Sequence, residues 1–329
     1  MEIVVLGAGV IGTTYALAWR QAGHRVTHLV RPERSVGAPR RFRVNLLDGR
    51  TKPPTRSQIE HVVDAAADAD LAAADFLFVS VPGHALPGAI DTARARGLGN
   101  RLVLFSGGWE SREELDALVG RSDYVLGYPI AGGGFEGELL RAVLFDSVKL
   151  EAARPETQAL HDLAERAFGD AGITPEPEVR MLEWLWIHEA INAGIITAIA
   201  ASAQEGEPLA AVVERALGDR RTLARGIGNI RECLRVVQGR GVRLRDHRGD
   251  VIPYYLPRWL SSRLMVRLFR TQELSREIML LHHNVADLTS LVSAVAQAER
   301  TQGLTLRGFD ADGRAFARFA AQQAGGATS

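Results

Sequence analysis

Cysteine is almost missing: Cys233 is the only one in 329 residues. That excludes an internal disulfide framework and any multi-cysteine zinc or iron–sulfur centre, and it fits a reducing compartment. Excess charge of either sign is missing too, with 39 Lys+Arg against 39 Asp+Glu. No overall field therefore draws the chain to nucleic acid or to an anionic membrane. Long apolar runs are also absent. The longest, residues 190–203, is interrupted by Asn192 and falls short of the roughly 20 residues of a spanning helix. The amino terminus has no basic leader and its apolar run stops at Gly7, so a cytoplasmic protein without a signal peptide is expected. What is present, 46% apolar and 24% charged residues, matches an ordinary globular protein. The length favours two domains at roughly 150 residues each.

The first half alternates strand-like and helix-like patterns. Residues 3–6 read as a short buried strand and 25–30 as a second strand, 76–81 and 102–105 are continuous apolar runs of the kind covered on both faces, and residues 65–74 and 113–119 supply helical spacers. Strand, helix, strand in repetition predicts an α/β fold with a doubly wound parallel sheet. Residues 42–49 read as a hairpin inserted in that sheet, and Gly132-Gly133-Gly134 as a loop or turn. Near residues 174–178 two prolines among acidic residues mark a linker or an extended edge. Beyond it, residues 181–203, 209–217, 222–238 and 270–302 all read as helices. The expected division is therefore a dinucleotide-binding Rossmann-type domain at 1–177 and an all-α domain at 178–329 for substrate and oligomerisation.

Gly7, Gly9 and Gly12, spaced Gly-x-Gly-x-x-Gly, follow the first strand and open a helix. The three glycines serve a tight turn, close backbone approach to a pyrophosphate and close helix–strand packing. With Val10 and Ile11 they form the start of a helix whose free N–H groups and positive dipole end face an anion. Arg31, just past the second strand, lies where an arginine accommodates a 2′-phosphate, which favours NADPH over NADH. Glu33 facing the ribose is the alternative. Val81, Pro82 and His84 follow another sheet strand, where such sheets present ligands, and complete the expected cofactor set.

These residues carry a resemblance. The N-terminal Ile-Val-Val-Leu-Gly-Ala-Gly-Val-Ile-Gly, the arginine after strand two and the helical second half resemble the ketopantoate reductase (2-dehydropantoate 2-reductase) family, as a divergent member. The resemblance implies an NADP-dependent oxidoreductase with a helical domain like the C-terminal part of 6-phosphogluconate dehydrogenase. It also implies reduction of a 2-keto acid in a cleft between domains. The family's helical Trp-x-Lys-x-x-x-Asn pattern is matched by Trp186-Ile187-His188-Glu189-Ala190-Ile191-Asn192. Asn192 is thus retained as the substrate-positioning asparagine, and His188 stands where the family has its proton-donating lysine. Counting back from Gly303 puts the family's later glutamate on Asp287 and the serine ahead of it on Ser275. The family's asparagine–glycine turn has become Ser106-Gly107-Gly108.

Hydride delivery to a carbonyl leaves negative charge on oxygen, so a positioned donor stabilises the transition state. A protonated His188 meets that need, and Asn192, four residues on, shares its helix face. Asp287 beside His188 would favour the imidazolium. Tyr254 and Tyr255, with Trp259 after them, are candidates for an apolar lid over substrate, or for core. His188-Glu189 opens like a metalloprotease helix, but Asn192 replaces the second histidine, so no metal is expected. The reading is an NADPH-dependent reductase of a 2-keto acid or related ketone. Alternatives are an imine reductase of the same fold and a non-catalytic NADP-binding regulator. The partners expected are a small-molecule substrate, no nucleic acid and no membrane, with a homodimer through the helical domain left open.

Overall fold

The computed structural model describes residues 1–30, 40–106, 108–281 and 284–326, with residues 324–326 described by their backbone alone. Arg31, Glu33 and Gly107 lie outside the described residues. Two compact units divide the chain, Met1–Leu182 and Glu183–Ser329.

The first unit is built on a seven-stranded sheet in the order β11-β10-β7-β6-β5-β1-β2. Its strands are β1 (Glu2–Leu6), β2 (Arg25–Leu29), β5 (Phe76–Val79), β6 (Leu102–Leu104), β7 (Tyr124–Tyr128), β10 (Ser147–Glu151) and β11 (Thr174–Glu178). From β2 to β7 every neighbouring pair is parallel; only β10 meets β7 antiparallel. This is the expected Rossmann-type sheet. The apolar runs follow from it, since strands covered by helices on both faces have no solvent side to make polar. Thr174–Glu178 resolves as the edge strand. Pro175 and Pro177 sit opposite Val148 and Leu150, in a strand with one neighbour, where a missing N–H is tolerated.

The hairpin at residues 42–49 is not inserted in that sheet. β3 (Arg40–Asp48) and β4 (Thr55–Val63) pair antiparallel, and β3 continues parallel to β9 (Leu139–Leu144). The three glycines read as a loop lie in β8 (Ala131–Glu136), the last strand of a separate sheet ordered β4-β3-β9-β8. A Cβ at Gly133 would stand 2.1 Å from the Arg141 carbonyl oxygen. The glycine there serves close strand approach rather than flexibility.

The helix Val10–Gln21 contacts β1 and β2 on one side and β8 and β9 on the other. Eight consecutive residues, Gly12 to Trp19, are consequently buried. Tyr15 and Trp19 pack edge-on or tilted against Phe78 and Phe168 at ring distances of 5.2–5.6 Å, a geometry that suits the ring quadrupoles.

The second unit consists of helices joined by turns, with no strand among its described residues. Met181–Ala200 is apolar nearly all round, the pattern of a central buried helix. It packs on Arg220–Gly239, which is capped by Asp219 through the amides of Arg221 and Thr222 at 3.1 and 3.0 Å. A Cβ at Gly194 would lie 2.5 Å from the Ile230 nitrogen, so glycine lets these two backbones touch. The helix Arg307–Gly326 is tied in by Asp312, which is fully buried. Arg225 Nε and Asn229 Nδ2 donate to its carboxylate at 2.7 and 2.8 Å, and Asn229 reaches Thr197 of the central helix at 3.3 Å. Among the described residues, no single helix is long and apolar enough to cross a membrane.

Candidate functional site

Because β1, β2 and β5 run parallel, the segments that follow them emerge at one edge of the sheet. The chain leaves β1 for β2 on one side and later returns to β5 on the other, so the crevice for a ligand lies between β1 and β5. Gly7 follows β1 there with φ +77°, a conformation that favours glycine. Gly9 is the extended residue before the helix, and its carbonyl accepts from Thr13 at 2.9 Å. A Cβ on Gly7 or Gly9 would meet nothing within 4 Å, whereas one on Gly12 would stand 2.8 Å from Val5 Cγ1. The three glycines thus divide as expected into turn, open approach and close packing. Val10 and Ile11, half-buried, open the helix at this edge. Val81 and Pro82 are half-buried past β5, and His84 is exposed.

The loop has an anchor that the sequence reading passed over. Gly7 donates its N–H to the Leu29 carbonyl at 2.9 Å, and His28 Nδ1 lies 2.7 Å from the Gly7 carbonyl oxygen. A carbonyl only accepts, so Nδ1 carries the proton and Nε2 is left as acceptor. His61 of β4 donates to it from Nε2 at 3.3 Å. Burial holds both rings neutral: the His28 pKa falls to about 4 and that of His61 to about 3, each mainly through desolvation. Ser106, past β6, is buried and its hydroxyl has no partner among the described residues.

The helical unit holds a cavity of about 250 Å³. Ile187, His188, Ile191, Asn192 and Ile195 line it from one face of the central helix, as their spacing requires. Trp184, Asp250, Tyr254, Met265, Phe269 and Met279 complete the wall with Ile230. Trp184 stacks on His188 with ring centroids 4.9 Å apart and 15° between planes. Its indole nitrogen donates to Asp250 Oδ1 at 3.1 Å. One residue earlier, Glu183 accepts from buried His247 Nε2 at 2.8 Å. These two bonds clamp the helix Arg248–Tyr255 over the cavity and set Asp250 and Tyr254 in its wall. Burial raises the Tyr254 phenol pKa.

The cavity joins some expected residues and not others. His188, Asn192 and Tyr254 share it. Asp287 does not line it: this residue sits in the first turn of Val285–Thr301, where its carboxylate accepts from Asn284 Nδ2 at 2.5 Å. Ser275 does not line it either. Tyr255 is 48% exposed, with the Arg231 guanidinium 5.9 Å from its ring centroid. The carboxylate in the cavity is Asp250. Nor is His188 an imidazolium at neutral pH, because burial outweighs the Asp250 charge and pushes its pKa down to about 4.

A pH dependence follows from the three neutral rings. The unfolded chain protonates them near 6.5, above their folded values. Their stabilising contribution is therefore complete above pH ~6.5 and is lost as pH falls through that value toward pH ~4. Thermal unfolding midpoints are expected to drop between pH 6.5 and 5, where surface carboxylates remain ionised. A flat midpoint across that window would contradict the neutral assignment.

Against this geometry, residues 3–144 match the family described as ketopantoate reductase PanE/ApbA. A search of curated protein sequences finds no match. Solved structures share the fold along the chain. A dimeric ketopantoate reductase from Staphylococcus aureus is 12% identical with a TM-score of 0.61, covering 98% of this chain and 99% of its own. A PanE/ApbA family ketopantoate reductase from Ralstonia eutropha JMP134 is 16% identical at 0.63, with the same coverage. D-Mandelate dehydrogenase in complex with NADH is 11% identical at 0.66, again over 98% and 99%. The segment 3–144 is therefore a domain of the ketopantoate reductase PanE/ApbA family, and the chain as a whole has the fold of the ketopantoate reductases.

Proposed function

We propose that the protein is an NADPH-dependent oxidoreductase that reduces the carbonyl group of a 2-keto acid or related ketone. The observation that carries this reading is the occurrence, in one chain with the ketopantoate reductase fold, of an open glycine loop and a cavity where His188 and Asn192 share one helix face. The loop suits a dinucleotide: Gly7 and Gly9 leave free space where phosphate oxygens would approach, and the Ser106 hydroxyl is unpartnered at the same sheet edge. When bound, the nicotinamide supplies the hydride.

The chain's own residues do the rest. The Val10 and Ile11 amides receive the pyrophosphate, Val81, Pro82 and His84 border the cofactor, and Arg31 pairs with the 2′-phosphate. His188 hydrogen-bonds the carbonyl oxygen through a ring N–H as negative charge builds there, and the proton that completes the alcohol comes from solvent. A neutral imidazole performs this role without first gaining a proton. Asn192 orients the substrate through its amide, and the apolar wall excludes water, which strengthens both bonds. Asp287 and Ser275 take no part in this reading.

Purified protein with NADPH and a panel of 2-keto acids and ketones tests the proposal. Consumption of NADPH with at least one carbonyl compound is expected. Tight NADPH binding without turnover of any of them would favour a regulatory role. Cofactor choice is tested separately. Arg31→Ala is expected to weaken NADPH and leave NADH binding unchanged, because only the 2′-phosphate contact is lost. Equal weakening of both would place the discriminating residue elsewhere.

A further inference from the structure

The wall of the helical cavity contains an acidic side chain and no strongly basic one. Asp250 is the one acidic residue among the described lining residues, no lysine or arginine lines the cavity, and burial keeps His188 neutral. No cation pairs with Asp250 among the described residues; its Oδ1 accepts from the neutral Trp184 indole. Arg231 is turned to backbone, donating to the Tyr254 carbonyl at 2.6 Å and to that of Leu256. A substrate carboxylate entering this cavity would face like charge in a low-dielectric setting. Apart from His188 and Asn192, the remaining wall is aromatic, thioether and aliphatic, with Trp184, Tyr254 and Phe269 supplying its rings. Ring faces attract cations as well as apolar groups.

We infer that the cavity takes a substrate with an apolar body and a protonated nitrogen, an iminium or an amino ketone, with Asp250 as the group that receives the cation. The inference rests on the reductase reading for the word substrate and replaces the 2-keto acid in it by a ketone or iminium that carries a protonated nitrogen, while the binding preference stands on the cavity alone. It also agrees with the protonation of His188. A neutral ring can accept an N–H from such a ligand, and a cation nearby keeps it neutral.

Calorimetric titration of the full chain with three matched probes tests this: a phenylalkyl ammonium, the corresponding alcohol and the corresponding carboxylate. The ammonium is expected to bind ~10–100-fold tighter than the other two, the range for a hydrogen bond to a charged group. Asp250→Asn keeps the shape and the acceptor for Trp184, so it should retain the melting temperature and NADPH affinity. In that variant the preference for ammonium should shrink to within about threefold. A carboxylate that binds best, an ammonium preference that survives Asp250→Asn, or no binding by any probe overturns the inference. Turnover separates the two sources and the two claims. Reduction of a cyclic imine against an amino ketone tells which is the substrate. Asp250-dependent ammonium binding without reduction of either compound would end the reductase reading and leave the cation site in place.

Discussion

Replacing His188 with alanine is expected to lower turnover by ~10²–10³, the size of effect for losing one hydrogen-bond donor to a developing oxyanion, with NADPH affinity nearly unchanged. The substitution removes the one side chain on the cavity face of the central helix that can donate to a developing oxyanion at the position of the family lysine. Asn192 remains to orient the substrate, so most of the loss should fall on kcat rather than KM. Trp184 loses its stacking partner at 4.9 Å, and the melting temperature therefore needs to be followed beside activity. Unaltered turnover in a folded variant would remove His188 from the mechanism. A drop confined to KM would make it a binding residue only.

The largest effect on stability is expected at Arg225. Asp312 is wholly buried, and Arg225→Ala would leave it with Asn229 as its remaining hydrogen-bond donor. An uncompensated buried charge costs about 3–5 kcal/mol, which lowers the melting temperature by on the order of 10 °C in a chain of this size. Removing both partners together, as Arg225→Met with Asp312→Leu, should recover much of that loss, since no charge is then stranded. Chemical denaturation of the single and double variants closes the cycle. A single-variant cost under about 1 kcal/mol would show that the pair behaves like an exposed one, Arg225 being half-exposed.

Much of this architecture could be read before any coordinates. Strands β1, β5 and β6 show as unbroken apolar runs because helices cover both their faces, and the glycine loop is legible because each glycine has a separate geometric task. His188 and Asn192 are picked out by the resemblance to the family's helical pattern, and their spacing then puts them on one helix face. The failures have physical causes as well. Gly132 to Gly134 look like a loop to any local reading, and only the approach of β9 explains them as strand. Asp250 is 66 residues from the tryptophan that holds it, and no local pattern marks that pairing. Asp287 had the right charge and a plausible count along the chain, but its helix begins with an Asn284 cap that occupies it. His28 sits in a buried strand where a sequence offers no sign that its ring faces a loop carbonyl.

That last ring bears on how far the fold can be pared down. The β3–β4 hairpin could be taken for an ornament on a nucleotide-binding core, and a minimal scaffold would be made by excising it. Yet His61 of β4 is what pairs with the outer nitrogen of His28. Without it that nitrogen would be left unsatisfied or flooded, and the imidazole would be free to turn away from Gly7. Shortening the hairpin should therefore be felt first as slack in the glycine turn after β1, at a distance in sequence from the cut.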